Sequence, residues 1–145
     1  MTTSRALAKG ALAGLIGTAA MTAAQTAEMR VSGRKPSLVP GHVASKLLRL
    51  NPDDNEALSR ISTRTHWAHG MTMGTVRALL GQTGLQGPSA TAAHFALMWS
   101  GDFTLYKALG IAAWPWQWSL EELIPDVLHK GIYAAVTGAA YEALA

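Results

Sequence analysis

The chain has 145 residues, a length typical of one domain, and only 14% of them are charged, against about 25% in an ordinary soluble domain. The net charge of +3 would suit nucleic acid, but no segment interleaves aromatic with basic side chains, which excludes that partner. The absence of cysteine excludes a disulfide framework, a thiolate metal site and a cysteine nucleophile.

The charges are unevenly distributed along the chain. Residues 79–101 and 132–141 contain no charged side chain, and residues 6–29 contain only Lys9 before the closing Glu28. A soluble bundle of this size needs a charged outer face on every helix. The sequence therefore predicts an all-α, polytopic membrane protein.

Four segments come close to the length of about 20 residues that a membrane-spanning helix needs. They predict a four-helix transmembrane bundle. The first begins too near the start, and is too long, for a signal-peptide core, so we expect it to be retained. Within a single membrane domain, 1–145, the predicted spans are residues 6–29, 66–81, 88–111 and 126–144.

Small residues recur at intervals of four in three of these spans, as glycine pairs in the first two and as glycine–alanine pairs in the fourth. Small-x-x-x-small patterns let helix backbones approach closely in lipid. The alternative is that glycine is simply common, since the chain contains 14 of them, but the recurrence in three helices favours close packing. The predicted packing residues are Gly10, Gly14, Gly17, Gly70, Gly74, Gly131 and Gly138.

A basic segment, residues 30–65, separates the first two spans. Residues 40–50 are predicted to form a short amphipathic helix with Val43, Leu47 and Leu50 on its apolar side. Such a helix can lie in the membrane interface.

Two capping signals mark helix starts in the loops. Asn51, followed by proline, is predicted to cap a helix after the amphipathic one. Ser119 and Glu122 form a capping box, and Pro125 is expected to kink or restart the helix before the fourth span.

The loop between the third and fourth spans, residues 112–125, contains three tryptophans at alternate positions: Trp114, Trp116 and Trp118. Tryptophan is enriched where a membrane meets water. We therefore expect these side chains to anchor the loop in the headgroup layer.

Basic residues predict the orientation. The first loop contains seven lysines and arginines, whereas the second, residues 81–87, contains none. Because basic loops stay in the cytoplasm, we expect both termini to lie outside the inner (plasma) membrane. Arg5 and Lys9 near the N-terminus oppose this orientation.

A weak internal repeat links the two halves of the chain. Unless the matches arise by chance, each half is a two-helix unit, and the two units are parallel about an axis along the membrane normal. The matched pairs are Met21 and Met98, Arg30 and Lys107, Gly33 and Gly110, His69 and His129, and Val76 and Val136.

Several short strings resemble a known group. The first helix around Gly10, Gly14 and Gly17, the Arg-Lys-Pro-Ser sequence at 34–37, and the string beginning at His129 are similar to the YagU-like small inner-membrane proteins and their actinobacterial relatives. The resemblance implies a four-helix inner-membrane bundle. It implies no established chemistry, so no functional residue is carried over.

Ionisable side chains inside a span cost about 2.5 kcal/mol or more and are functional candidates for that reason. Asp102, in the third span, is the clearest. We expect His69 and His129, in the second and fourth spans, to face it. His66 adds an imidazole one turn from His69.

Three interpretations of these residues remain open. In the first, Asp102 pairs with one of the two histidines or with Lys107 and holds helices together. In the second, the paired groups bind a proton or another cation. In the third, His66, His69 and His129 bind a metal or a haem, although a His-x-x-His pair at a helix entrance also occurs at membrane interfaces.

The sequence contains no Gly-x-Ser-x-Gly, no phosphate-binding loop and no His-Glu-x-x-His, so an enzyme is not expected. The pattern favours a non-catalytic accessory or scaffold subunit that lies in the lipid bilayer and associates with itself or with a larger membrane complex. A protein that binds a proton, cation, metal or haem through Asp102 and the histidines is the alternative.

Overall fold

The computed structural model describes residues 2–144, and none of them forms a β-strand. The predicted all-α class is therefore confirmed over the described part of the chain. The helices are α1 Thr3–Ser32, α2 Val39–Leu48, α3 Asn55–Gln82, α4 Gly87–Ala108 and α5 Leu120–Leu144, with a short 3₁₀-helix, Pro115–Gln117, between α4 and α5.

The four long helices form a ring in the order α1, α3, α4, α5. Helix α1 packs against α3 and α5, and α4 completes the ring by packing against the same two helices. Helix α2 stays outside the ring and packs on α3, where Gly41 lies against Leu58 and Ser62.

Among the described helices, only α1 is long and apolar enough, by length and composition, to qualify as a membrane span. It ends at Gly33, whose positive φ of 72° brings its N–H to the carbonyl oxygen of Met29. The other three predicted spans lie on α3, α4 and α5, which do not meet the same combined requirement of length and apolar composition.

Helix α3 begins well before the predicted span. Its cap is Asp54, whose carboxylate accepts a hydrogen bond from the N–H of Ala57 at 2.8 Å. The prediction that Asn51 caps this helix is therefore wrong. Asp54 offers the same capping chemistry nearer to the helix, and the polar first turns carry no hydropathy signal.

Helix α2 forms where a short amphipathic helix is predicted, but it buries a different face. Its buried residues are Gly41, Val43 and Ala44, whereas Leu47 and Leu50 are exposed. The small residues allow α2 to lie close to α3, and the leucines project away from the bundle.

Helix α5 begins inside the predicted loop. The N–H of Ser119 donates to the carboxylate of Glu122 at 3.0 Å, and the N–H of Glu122 donates to Ser119 Oγ at 3.3 Å, which is the predicted capping box. The helix then runs through Pro125. The proline removes one backbone donor but does not restart the helix.

Candidate functional site

Helix α4 turns one narrow stripe of side chains toward the centre of the bundle. Its buried residues recur every four positions, at Ala90, His94, Met98 and Asp102, and positions four apart lie on one helix face. Asp102 ends this stripe and is only 6% exposed. Its carboxylate is therefore directed toward α3 and α5.

Asp102 belongs to a group of four ionisable residues that we call the charged cluster: His69 on α3, Asp102 on α4, and Asp126 and Lys130 on α5. His69 Nε2 lies 3.0 Å from Asp102 Oδ1, and Lys130 Nζ lies 3.3 Å from Asp102 Oδ2. Lys130 Nζ also lies 3.0 Å from Asp126 Oδ1, one turn earlier on α5. The cluster therefore joins three helices.

Aromatic side chains border the charged cluster. Trp99 Nε1 donates a hydrogen bond to Asp126 Oδ2 at 2.9 Å, and Lys130 Nζ lies 5.3 Å from the centre of the Tyr106 ring, within the range of a cation–π contact. The side chain of Lys130 is 12% exposed. The aromatic rings and the burial limit the access of water to the ammonium.

The charges in the cluster do not balance while His69 is neutral. Two carboxylates then face one ammonium, which leaves a net charge of about −1. Protonation of His69, which lies against Asp102, would bring the net charge to zero. The arrangement can therefore hold helices together, and it can also hold one proton or another cation.

The predicted metal ligands are not brought together. His66 is directed to α1, where its Nε2 lies 3.0 Å from Thr22 Oγ1, whereas His69 is directed to α4. His129 is buried but is not within ion-pair distance of Asp102. Among the described residues, no three His, Asp or Glu side chains are arranged to hold a metal ion, so the three-histidine site does not form.

Lys130 is a partner of Asp102 that sequence reasoning missed. Lys107, the lysine expected there, is exposed, because a separation of five residues places it on a different side of α4 from Asp102. A signal was available, since Asp126 and Lys130 have the i,i+4 spacing of a helical ion pair.

A second buried charge, Arg77 on α3, lies toward the opposite end of the bundle and is 1% exposed. Its Nη2 lies 2.8 Å from Glu142 Oε1, which also accepts the N–H of Gly87 at 2.7 Å. The guanidinium carbon lies 5.1 Å from the centre of the Tyr141 ring. Sequence reasoning missed Arg77, although it is an ionisable residue within a predicted span, as Asp102 is.

Most of the predicted packing glycines lie at helix contacts. A Cβ added at Gly14 would overlap the carbonyl oxygen of Gly70, and one at Gly74 would overlap that of Gly10, so α1 and α3 meet backbone to backbone. Gly131 differs, because a Cβ added there would meet no atom within 4 Å. The other close neighbours are threonine hydroxyls: Gly17 against Thr137, Gly70 against Thr18, and Gly138 against Thr91.

Two of the three loop tryptophans, Trp114 and Trp116, belong to an aromatic group with Phe103 at one end of α4. The rings of Trp114 and Trp116 stack with their centroids 5.1 Å apart, and both meet the ring of Phe103 edge-on. Trp118 Nε1 donates to the carbonyl oxygen of Ala113 at 2.8 Å. Trp116 is 72% exposed, so its ring faces the surroundings of the bundle.

Comparison with known proteins finds no matching family model, no matching curated protein and no matching solved structure.

Proposed function

We propose that the chain is a small integral membrane protein with four spans, and that it acts as a non-catalytic accessory or scaffold subunit. The observation that carries this proposal is the burial of charged side chains in a bundle whose outer faces expose large apolar ones. Arg77 and Asp102 are buried, while Leu12, Leu97 and Leu128 are 48%, 53% and 54% exposed. Water favours the opposite arrangement, whereas charged groups in a bilayer face the bundle interior.

The length of α1 supports its role as a span. Lys9 and Arg30 bracket its apolar segment and are separated by about 32 Å at a rise of about 1.5 Å per residue. The hydrocarbon core of a bilayer is about 30 Å thick. The two cations therefore fit the two headgroup layers.

Helices α3, α4 and α5 are proposed to span the membrane as well. With 28, 22 and 25 residues, each reaches the required length of about 20 residues. Their lower apolar content is due in part to Arg77, Asp102 and Lys130, which pair within the bundle. The ring order also suits two parallel two-helix units, α1 with α3 and α4 with α5.

The basic loop is proposed to face the cytoplasm, with both termini outside. Lys46, on α2, donates a hydrogen bond from Nζ to the carbonyl oxygen of Leu109 at 2.6 Å. This contact brings the basic segment to the end of α4 that leads into the tryptophan loop, which agrees with the proposed four-span topology. The resemblance to YagU-like inner-membrane proteins supports the same location.

The close helix contacts and the paired charges in the interior of the bundle support a structural role. Backbone contacts occupy the interface between α1 and α3, and the buried charges already have partners, Arg77 with Glu142 and Lys130 with two carboxylates. The outer faces of the helices are left to contact other molecules. We propose that the protein uses them to associate with further copies or with a larger membrane complex.

Extraction and labelling test the membrane assignment. We expect the chain to remain in the membrane pellet after an alkaline carbonate wash and to be released by detergent. In this cysteine-free chain, an impermeant thiol reagent added to intact cells should label Thr83→Cys and not Ser37→Cys. Release by carbonate would refute the assignment, and labelling of Ser37→Cys alone would reverse the orientation.

The mass of the solubilised protein tests the subunit role. After mild detergent extraction, we expect light scattering corrected for bound detergent to give a protein mass above the 15.3 kDa of one chain. A single species of one chain, both from native membranes and after purification, would contradict the role.

The charged cluster favours a second candidate function, the binding of a proton or another cation. Its unequal number of carboxylates and ammonium groups is the observation behind this candidate. If the charged cluster binds a proton or another cation, changing the concentration of that cation should change the tryptophan fluorescence, since Trp99 is bonded to Asp126. Asp102→Asn should abolish the change without altering the mass. A fluorescence signal in the unmodified protein that responds neither to protons nor to added metal cations would exclude this candidate.

A further inference from the structure

The outer face of α1 carries a shallow groove along its second half. Three alanines spaced four residues apart form its floor, and one side chain of α3 closes one side. The residues that line the groove are Ala19, Thr22, Ala23, Thr26, Ala27, Arg30 and Trp67.

The hydroxyl groups in the groove are already hydrogen-bonded to the helix backbone. Thr22 Oγ1 donates to the carbonyl oxygen of Thr18 at 2.7 Å, and Thr26 Oγ1 donates to that of Thr22 at 2.8 Å. Such bonds satisfy the polar atoms within the helix itself. The groove therefore offers mainly hydrocarbon to a ligand.

One end of the groove carries a cation that has no counter-charge among the described residues. Arg30 is exposed, and over residues 2–144 no carboxylate lies within ion-pair distance of it. The nearest acidic residue along the chain, Glu28, instead pairs with Arg34 at 2.7 Å. The groove is thus apolar along its length and positive at one end.

The groove has the length of one bilayer leaflet. Ala19 and Arg30 are about 17 Å apart along the helix axis at a rise of about 1.5 Å per residue. Half of a hydrocarbon core about 30 Å thick is about 15 Å. A ligand chain that begins at Arg30 would therefore end near the middle of the membrane.

We propose that this groove binds an anionic phospholipid, with an acyl chain along Ala19, Ala23 and Ala27 and the phosphate at Arg30. The inference rests on the proposed membrane location, in which Arg30 lies on the cytoplasmic side, where anionic lipids are concentrated. A second copy of the chain fits less well, because parallel copies packed through this groove would bring two Arg30 side chains together.

Native mass spectrometry of the detergent-purified protein tests the proposal, with dioleoylphosphatidylglycerol and dioleoylphosphatidylcholine as the added lipids. We expect one phosphatidylglycerol to be retained in preference to phosphatidylcholine. Arg30→Gln should weaken phosphatidylglycerol binding about fivefold, the factor expected for one basic residue at an anionic headgroup. Arg5→Gln, the same change at the opposite end of α1, should leave binding unchanged.

A second pair of variants tests the hydrocarbon part of the groove. Ala23→Leu fills its floor and should weaken the binding of both lipids, whereas Ala92→Leu, at an exposed position on α4, should not. Equal retention of the two lipids by the unmodified protein, or equal effects of Arg30→Gln and Arg5→Gln, would overturn the proposal.

The outcomes separate this inference from the proposed function. A protein that resists carbonate extraction but shows no lipid preference retains its membrane role and lacks the lipid site. Loss of dimers, rather than of lipid, in Ala23→Leu would assign the groove to a second copy. Release of the protein by carbonate would instead contradict the membrane location itself.

Discussion

Lys130 places a positive charge between two carboxylates, so its removal should have a larger effect than that of either partner. We predict that Lys130→Met lowers the free energy of unfolding by about 3 kcal/mol or more, because it leaves two nearby carboxylates without this ammonium. Asp102→Asn leaves Lys130 and Asp126 as a balanced pair, so it should change the free energy of unfolding by about 1 kcal/mol or less. Denaturant unfolding in detergent measures both.

Lys107→Met is the matched control, since Lys107 is an exposed lysine on α4. If it destabilises the protein as much as Lys130→Met does, the charged cluster does not contribute to stability in the way described.

Glu142 is the residue that balances the buried Arg77. Its side chain is 45% exposed, so solvent screens part of the interaction, and we predict that Glu142→Gln costs about 2 kcal/mol, below the range for fully buried pairs. Glu121→Gln, an exposed change in the first turn of the same helix, should cost under about 1 kcal/mol. Thermal unfolding followed by circular dichroism distinguishes the two, and similar values would contradict the importance of the pair.

At the scale of the helices, the same substitution should have opposite effects at two glycines. Gly131→Ala meets no neighbour and should stabilise α5 by up to about 1 kcal/mol, because alanine favours the helix. Gly14→Ala should lower the melting temperature, because the added methyl group overlaps the carbonyl oxygen of Gly70. If both variants gain stability, α1 and α3 do not meet backbone to backbone.

Helix positions could be predicted better from the sequence than helix ends could. The spacing of Gly10, Gly14, Gly70 and Gly74 indicates close packing, and the structure places all four between α1 and α3. The start of α3 was predicted three residues too early, at Asn51 instead of Asp54. The hydropathy pattern did not show that this helix continues into the second predicted span, because such a pattern ends where polar residues begin, whereas the hydrogen bonds of a helix continue past that point. Asn51 and Asp54 both have side chains that can cap a helix, and in the structure Asp54 is the cap.

For the molecule as a whole, the aromatic residues predict its depth in a bilayer. Tryptophan fluorescence of the reconstituted protein should be quenched more by lipids brominated near the headgroup than by lipids brominated near the chain ends, because tryptophan favours the interface. Trp116→Phe should weaken this quenching, since Trp116 is the exposed member of the aromatic group. Stronger quenching by the deep bromines would place the tryptophan loop inside the hydrocarbon.

Contacts between distant segments were beyond the reach of sequence patterns. The separation of Arg77 and Glu142 is 65 residues, and helical periodicity relates only positions a few residues apart. Periodicity could place Asp102 on one face of α4. It could not show whether Lys107 or Lys130 is the partner of Asp102, because the partner depends on how α4 and α5 are rotated about their axes.

The link between Arg77 and Glu142 has a consequence for biosynthesis. A ribosome completes α3 long before it reaches Glu142. In the proposed four-span topology, the guanidinium would therefore enter the bilayer without its carboxylate during that interval, at a cost of about 2.5–3.5 kcal/mol on insertion scales. Helix α3 should therefore settle in the membrane only once the last helix arrives. Insertion of the nascent chain would then be completed by its final segment rather than helix by helix.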